Sequence, residues 1–216
     1  MNAIQTKDGN MNIVRISLLK IVFVATCLVT LSSCESILLG AYGIKEYKAL
    51  GEAEVLKCAT QYAIPAKDVY LLDSSFLGYL KTFESDERHT NHYQPLQALY
   101  FNGEGQLVSY QVNCYAGGFP NLKWNRNDNF SVFPPKQQAP LDSMVNLETQ
   151  MRFLQKLVQT ETFLAKDYNY VVVVFWSRVM GRQSKRLIKF VQKNALLAKE
   201  QKVKIIYANV DGIFVD

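Results

Sequence analysis

Residues 171–210 constrain most strongly what this chain can fold into. Residues 171–176, VVVVFW, are an apolar run without alternation, as expected for a strand covered on both faces. A short polar turn with one glycine follows. Residues 181–201 then set Leu187, Ile188, Val191, Ala195 and Ala198 at helical spacing. Residues 203–210 form a second buried-type run. Strand, long helix and strand make a right-handed βαβ unit whose strands are parallel neighbours. The turn after Trp176 therefore lies at a carboxyl edge, where α/β folds build their sites.

The rest of the chain supports an α/β class. Its 216 residues, 49% hydrophobic and 12% aromatic, suit one packed domain with appendages and exclude general disorder. Residues 44–61 read as a helix broken by Pro65. Residues 69–72 read as a short strand. Asp73 or Ser74 then caps a helix with Phe76, Leu77, Leu80 and Phe83 inward. Residues 84–94 are a polar loop. Two β-rich runs, 96–101 and 107–112, flank Asn102-Gly103-Glu104-Gly105 and predict a hairpin. Residues 142–160 read as one capped helix with a stripe of Met144, Leu147, Met151, Leu154 and Val158.

At the N-terminus, Arg15 and Lys20 form a positive region ahead of an apolar stretch, 21–31, that is too short to span a bilayer. It closes on Leu31-Ser32-Ser33-Cys34, which resembles a bacterial lipobox. That resemblance implies a lipid-modified Cys34 at the start of the mature chain. The protein would then be anchored to a membrane of the bacterial cell envelope, facing the periplasm or the exterior. Two or more acyl chains anchor stably where one is marginal. The expected organisation is a signal peptide at 1–33 (with Met11 as an alternative start), a tether and helix at 34–65, and an α/β domain at 66–216.

The run Phe175-Trp176-Ser177-Arg178-Val179-Met180-Gly181-Arg182-Gln183 resembles the thioredoxin pattern F-W-A-x-W-C-G-x-C, and Asn209-Val210-Asp211 resembles that family's N-x-D. Carried over by position, the nucleophilic cysteine falls on Met180 and the resolving cysteine on Gln183. Disulfide exchange needs a thiolate and a second thiol. A thioether and an amide supply neither, so two-thiol exchange is excluded at this turn. The hairpin also resembles the family, in which a cis proline precedes such a strand; Pro95 holds that position. In thioredoxins, however, the hairpin follows the active-site unit, and here it precedes it. The resemblance therefore implies a circularly permuted thioredoxin-like mixed sheet. Strand 171–176 would be central, 203–210 parallel on one side, 96–101 antiparallel on the other, 107–112 at one edge and 69–72 toward the far edge. The alternative is an unrelated α/β sandwich.

Other residue groups have competing readings. Cys58 and Cys114 either pair as a disulfide or serve as two buried small apolar residues. Cys114 taken alone lacks a cationic sequence neighbour to activate it. His89 and His92 follow Asp86 and Glu87, but their short spacing fits a solvated loop better than zinc, so no metal or cofactor is assigned. The irregular residues 114–141 carry Phe119, Trp124, Phe130 and Phe133. These either cover the domain or leave Phe119 or Trp124 exposed near Tyr115 and Arg126 as a platform for a glycan or peptide. Arg178, Arg182, Lys185, Arg186, Lys189, Lys193, Lys199, Lys202 and Lys204 are opposed only by Glu200. They form a solvated face or meet anionic lipid, and the inferred compartment argues against nucleic acid.

These features imply a lipid-anchored, redox-inactive thioredoxin-like module that binds or scaffolds an envelope partner. One alternative is an envelope enzyme using Cys114 or the aromatic loop. Another is a purely structural lipoprotein.

Overall fold

The structure, a computed structural model, describes residues 45, 48, 50–83, 90–112, 123–159 and 163–214. All of them belong to one compact unit, Gly43–Asp216. Cys34, the signal region, Asp86, Glu87, His89, Cys114, Tyr115 and Phe119 lie outside the described residues. Among the described residues no helix is long and apolar enough to cross a membrane.

Helix α1 spans Glu52–Gln61. It starts later than the expected residue 44, because Gly51 is extended at φ −70° and ψ 158° and serves as its N-cap. Glu52 and Glu54 in its first turn suit the positive end of the helix dipole. It ends at Tyr62, ahead of Pro65, where Ala63 turns to φ 59°. Strand β1 is Val69–Leu72 and helix α2 is Ser75–Leu80. Asp73 starts α2, its Oδ1 accepting from the Ser75 N–H at 2.8 Å.

Strands β2 (Gln97–Asn102) and β3 (Leu107–Val112) form the expected hairpin. Asn102 Oδ1 accepts from the N–H groups of Glu104 at 3.1 Å and Gln106 at 2.9 Å. Gly105 takes φ +78°, the left-handed conformation that favours glycine. Pro95 is not the cis proline expected from the family resemblance. The cis bond among the described residues is Phe133–Pro134. The entrance to β2 is held instead by the Gln97 side chain, whose Nε2 donates to the carbonyls of His92 at 2.7 Å and Gln94 at 2.5 Å.

The single helix expected over residues 142–160 is two elements, helix α3 (Leu147–Met151) and strand β4 (Leu154–Lys156). Asn146 caps α3, with its Oδ1 accepting from the Thr149 N–H at 2.9 Å. Leu154 leaves the helical stripe because β4 pairs antiparallel with β1, satisfying an otherwise open sheet edge. Met144 is exposed rather than inward. Strand β5 (Tyr170–Trp176) runs into helix α4 (Gly181–Ala195), continued by a 3-10 turn at Leu196–Ala198. Lys199, at φ 54°, ends it before strand β6 (Val203–Asn209).

The six strands make one mixed sheet in the order β3-β2-β5-β6-β1-β4. β5 lies between parallel β6 and antiparallel β2. β1 pairs parallel with β6, and β4 adds an edge strand that the sequence did not suggest. Both faces of β5 are buried, which explains its unbroken apolar run. Val171, Val173 and Phe175 join a cluster with Phe76, Leu80, Leu99 and Phe101. Val172, Val174 and Trp176 join Val55, Ala59, Leu187, Ile188 and Val191 on the other side. Layers of helix and loop thus sandwich the sheet. Both clusters close within Gly43–Asp216, so this unit has the cores an independently folding domain needs.

Candidate functional site

The turn between β5 and α4 is the candidate site. It is built by the carboxyl ends of two parallel strands, where the chain must leave the sheet with several backbone N–H groups unpaired. Val210 N–H donates to the Trp176 carbonyl at 3.0 Å and keeps the two strand ends together. Asp211, almost fully buried, then reaches across to the turn. Its Oδ1 accepts from the Ser177 hydroxyl in a short hydrogen bond. Its Oδ2 accepts from the Arg178 N–H at 2.8 Å and from Asn209 Nδ2 at 3.0 Å. One carboxylate therefore holds donors from both strand ends.

The two hydroxyls of the turn are committed to its architecture. Ser177 Oγ donates to Asp211 and accepts from the Val179 N–H at 3.0 Å. Ser184 Oγ donates to the Ser177 carbonyl at 2.6 Å and accepts from the Ser177 N–H at 3.0 Å. Both side chains are buried, and each hydroxyl donates and accepts within the turn. His92, the described histidine, is buried rather than in a solvated loop. It stacks on Tyr110 with ring centroids 5.0 Å apart, and its Nε2 lies 3.5 Å from Asp142 Oδ2.

Met180 is half-buried at the N-cap of α4, and Gln183 is buried one turn in. Neither side chain can form a thiolate. Gln183 instead lends its backbone carbonyl to Trp124, whose Nε1 donates at 3.2 Å. Trp124 is fully buried in the cluster on the α4 side. The reading of Trp124 as an exposed platform is thereby corrected: its indole carries more apolar surface than any other side chain in the loop, and the domain buries it. Phe130 is buried as well, against Phe190. Arg126 is exposed.

Helix α1 closes over the same turn, a feature the sequence did not reveal. The Tyr62 ring meets Trp176 edge to face at 5.6 Å. The Lys45 N–H donates to the Val179 carbonyl at 2.8 Å. Burial, with Cys58 and Asp211 adding, pushes the Tyr62 hydroxyl up to about 12, while the Arg178 cation opposes the rise. Cys58 is a free thiol, and burial raises its pKa too. It is the protonated, poorly nucleophilic form at neutral pH. A spacing signal for this contact does not exist, since α1 and the turn are more than a hundred residues apart.

A second concave feature lies away from the turn. A cleft of about 460 Å³ opens between α2 and α3, lined by Tyr79, Phe83, Met144, Thr149, Arg152 and Phe153 among others. Tyr79 stacks on Phe153 at 5.1 Å, and Arg152 pairs with Glu148 at 2.7 Å. Among the described residues no group of His, Cys, Asp and Glu side chains is arranged to hold a metal ion.

No protein-family model, curated protein or solved structure matches the chain. The class defined by the observations is a mixed α/β domain with an open six-stranded sheet.

Proposed function

We propose that this chain is a lipid-anchored protein of the bacterial envelope whose domain is a circularly permuted, redox-inactive thioredoxin-like fold acting as a binding or scaffold module. The observation that carries this reading is the turn itself. A βαβ unit presents Met180 and Gln183 where disulfide chemistry requires two thiols, and the hydroxyls around them are locked into hydrogen bonds with Asp211 and Ser177. The strand order around β5 supports the permuted arrangement, because each of its neighbours has the direction that arrangement demands. The lipobox-like Leu31-Ser32-Ser33-Cys34 supports the anchor.

With the turn closed by α1, partner contact belongs elsewhere on the domain. The cleft between α2 and α3 offers aromatic walls and one arginine, a combination that suits an apolar peptide side chain beside a polar backbone.

Two measurements test the proposal. In cells fed radiolabelled palmitate, the Cys34→Ala chain should carry no acyl label and remain unprocessed or soluble; normal processing with full labelling contradicts the anchor. The unit Gly43–Asp216 should consume no peroxide, and capture of an envelope partner by the full chain should be unaffected by reductant. Capture that requires an oxidised cysteine would contradict a purely binding role.

A further inference from the structure

The outer face of α4 carries a pattern that neither the fold nor the turn requires. Arg182, Arg186, Lys189 and Lys193 follow one another at spacings of four, three and four residues, so they form one exposed stripe along the helix. Lys185 flanks it. The same spacing leads directly to Leu196 and Leu197, which are 81% and 46% exposed. Val132, 46% exposed, lies beside this end, since Asn194 Nδ2 donates to the Val132 carbonyl at 2.6 Å. Lys199 and Lys202 are exposed further along the chain, whereas Lys204 is held in an ion pair with Asp68. The exposed acid in this part of the chain is Glu200, with Asp128 near the loop that packs on the helix. Among the described residues no ion pair ties Lys185, Lys189 or Lys193 to an acid.

We infer that this face of α4 is a docking surface for an anionic lipid bilayer, with the cation stripe on the headgroups and Leu196 and Leu197 entering the acyl boundary. Lysines on an exposed face with apolar residues at its end match the two attractions of an interfacial helix: headgroup charge and buried apolar area. A second copy of the chain fits the surface less well. A two-fold contact through this face would set like-charged stripes against each other. The inference draws its compartment from the membrane-anchored reading, and the chain's length agrees with it. The residues between Cys34 and Lys45 reach at most roughly 40 Å when extended, and α4 is about 22 Å long. An anchor at Cys34 and contact through α4 can therefore share one bilayer.

Vesicle sedimentation of the unit Gly43–Asp216 tests the surface without any lipid on the chain, so its outcome is separate from that of Cys34. The unit should bind vesicles containing phosphatidylglycerol at low salt, release as salt is raised, and ignore pure phosphatidylcholine. Lys189→Glu with Lys193→Glu should lower partition by more than about tenfold, since each cation near an anionic leaflet is worth roughly fivefold. Leu196→Ser with Leu197→Ser should lower it severalfold, with unchanged cooperative melting in both variants. A tryptophan placed by Leu197→Trp should blue-shift on the same vesicles. No binding to anionic vesicles, equal binding to neutral ones, or variants that bind like the parent would overturn the proposal. So would a salt-independent dimer, seen by sedimentation velocity, that the leucine substitutions dissolve.

Discussion

The hydroxyl of Tyr62 stands 2.6 Å from the point where a side-chain carbon on Gly181 would sit. A side chain there would press on the Tyr62 hydroxyl, and the conflict lies with the end of that side chain, not with backbone conformation. Gly181→Ala should destabilise the domain by about 1–3 kcal/mol through overpacking. The next ring atom lies 3.7 Å away, an ordinary contact. Tyr62→Phe in the same chain should therefore restore most of the loss. Chemical unfolding of the two single variants and the double variant measures this coupling; additive losses would mean that α1 does not press on the turn.

Asp211 is the second anchor of the turn. Asp211→Ala leaves the Ser177 hydroxyl, the Arg178 N–H and the Asn209 amide without their shared acceptor. The expected loss is roughly 2–4 kcal/mol, as for buried hydrogen bonds to a charged group. Urea unfolding reads it directly, and a loss within experimental error would show the network to be incidental.

Trp124 decides what the aromatic loop does. Fully buried and bonded to the Gln183 carbonyl, it acts as a cover. Trp124→Ala should lower stability by about 3–5 kcal/mol. Calorimetry should show melting fall by on the order of ten degrees. An unchanged melting temperature would return the loop to the role of a partner platform.

Alkaline pH should loosen the domain. Burial pushes the hydroxyls of Tyr62 and Tyr207 up to about 12, above the ordinary value of 10. The unfolded chain then releases these protons first. The stabilisation is complete below about pH 10 and is lost as pH rises toward about pH 12. Urea midpoints across that window should fall steeply in the parent and less steeply in Tyr62→Phe. Identical slopes would mean that Tyr62 does not titrate with unfolding.

Much of the fold was legible because β5, β6 and the hairpin are specified locally. Unbroken valines require burial on both faces, and Asn102 with Gly105 sets the reversal. The misreading at residues 142–160 has a physical cause. Leu147, Met151 and Leu154 satisfy helical spacing, yet Leu154 also suits a strand, and an open edge on β1 decided between them. The family resemblance at residues 175–183 located the candidate turn but not its surroundings. Tyr62 on Gly181, Trp124 on Gln183 and Ser177 on Asp211 are contacts between distant segments, and no periodicity encodes them. Pro95 shows the opposite failure: its position resembles the family's, while Gln97 holds a different entrance to the strand.

The most direct measurement is insulin reduction by the unit Gly43–Asp216, alone and with Met180→Cys and Gln183→Cys together. The half-buried N-cap position and the buried position one turn in place two thiols at a helix N-terminus, whose dipole favours a thiolate. The parent should show no thiol-dependent turnover, whereas the double variant should form a reducible disulfide within the turn, read by thiol titration, with insulin turnover limited by the cover of α1. Insulin reduction by the parent, abolished by Met180→Ala, would contradict the redox-inactive reading.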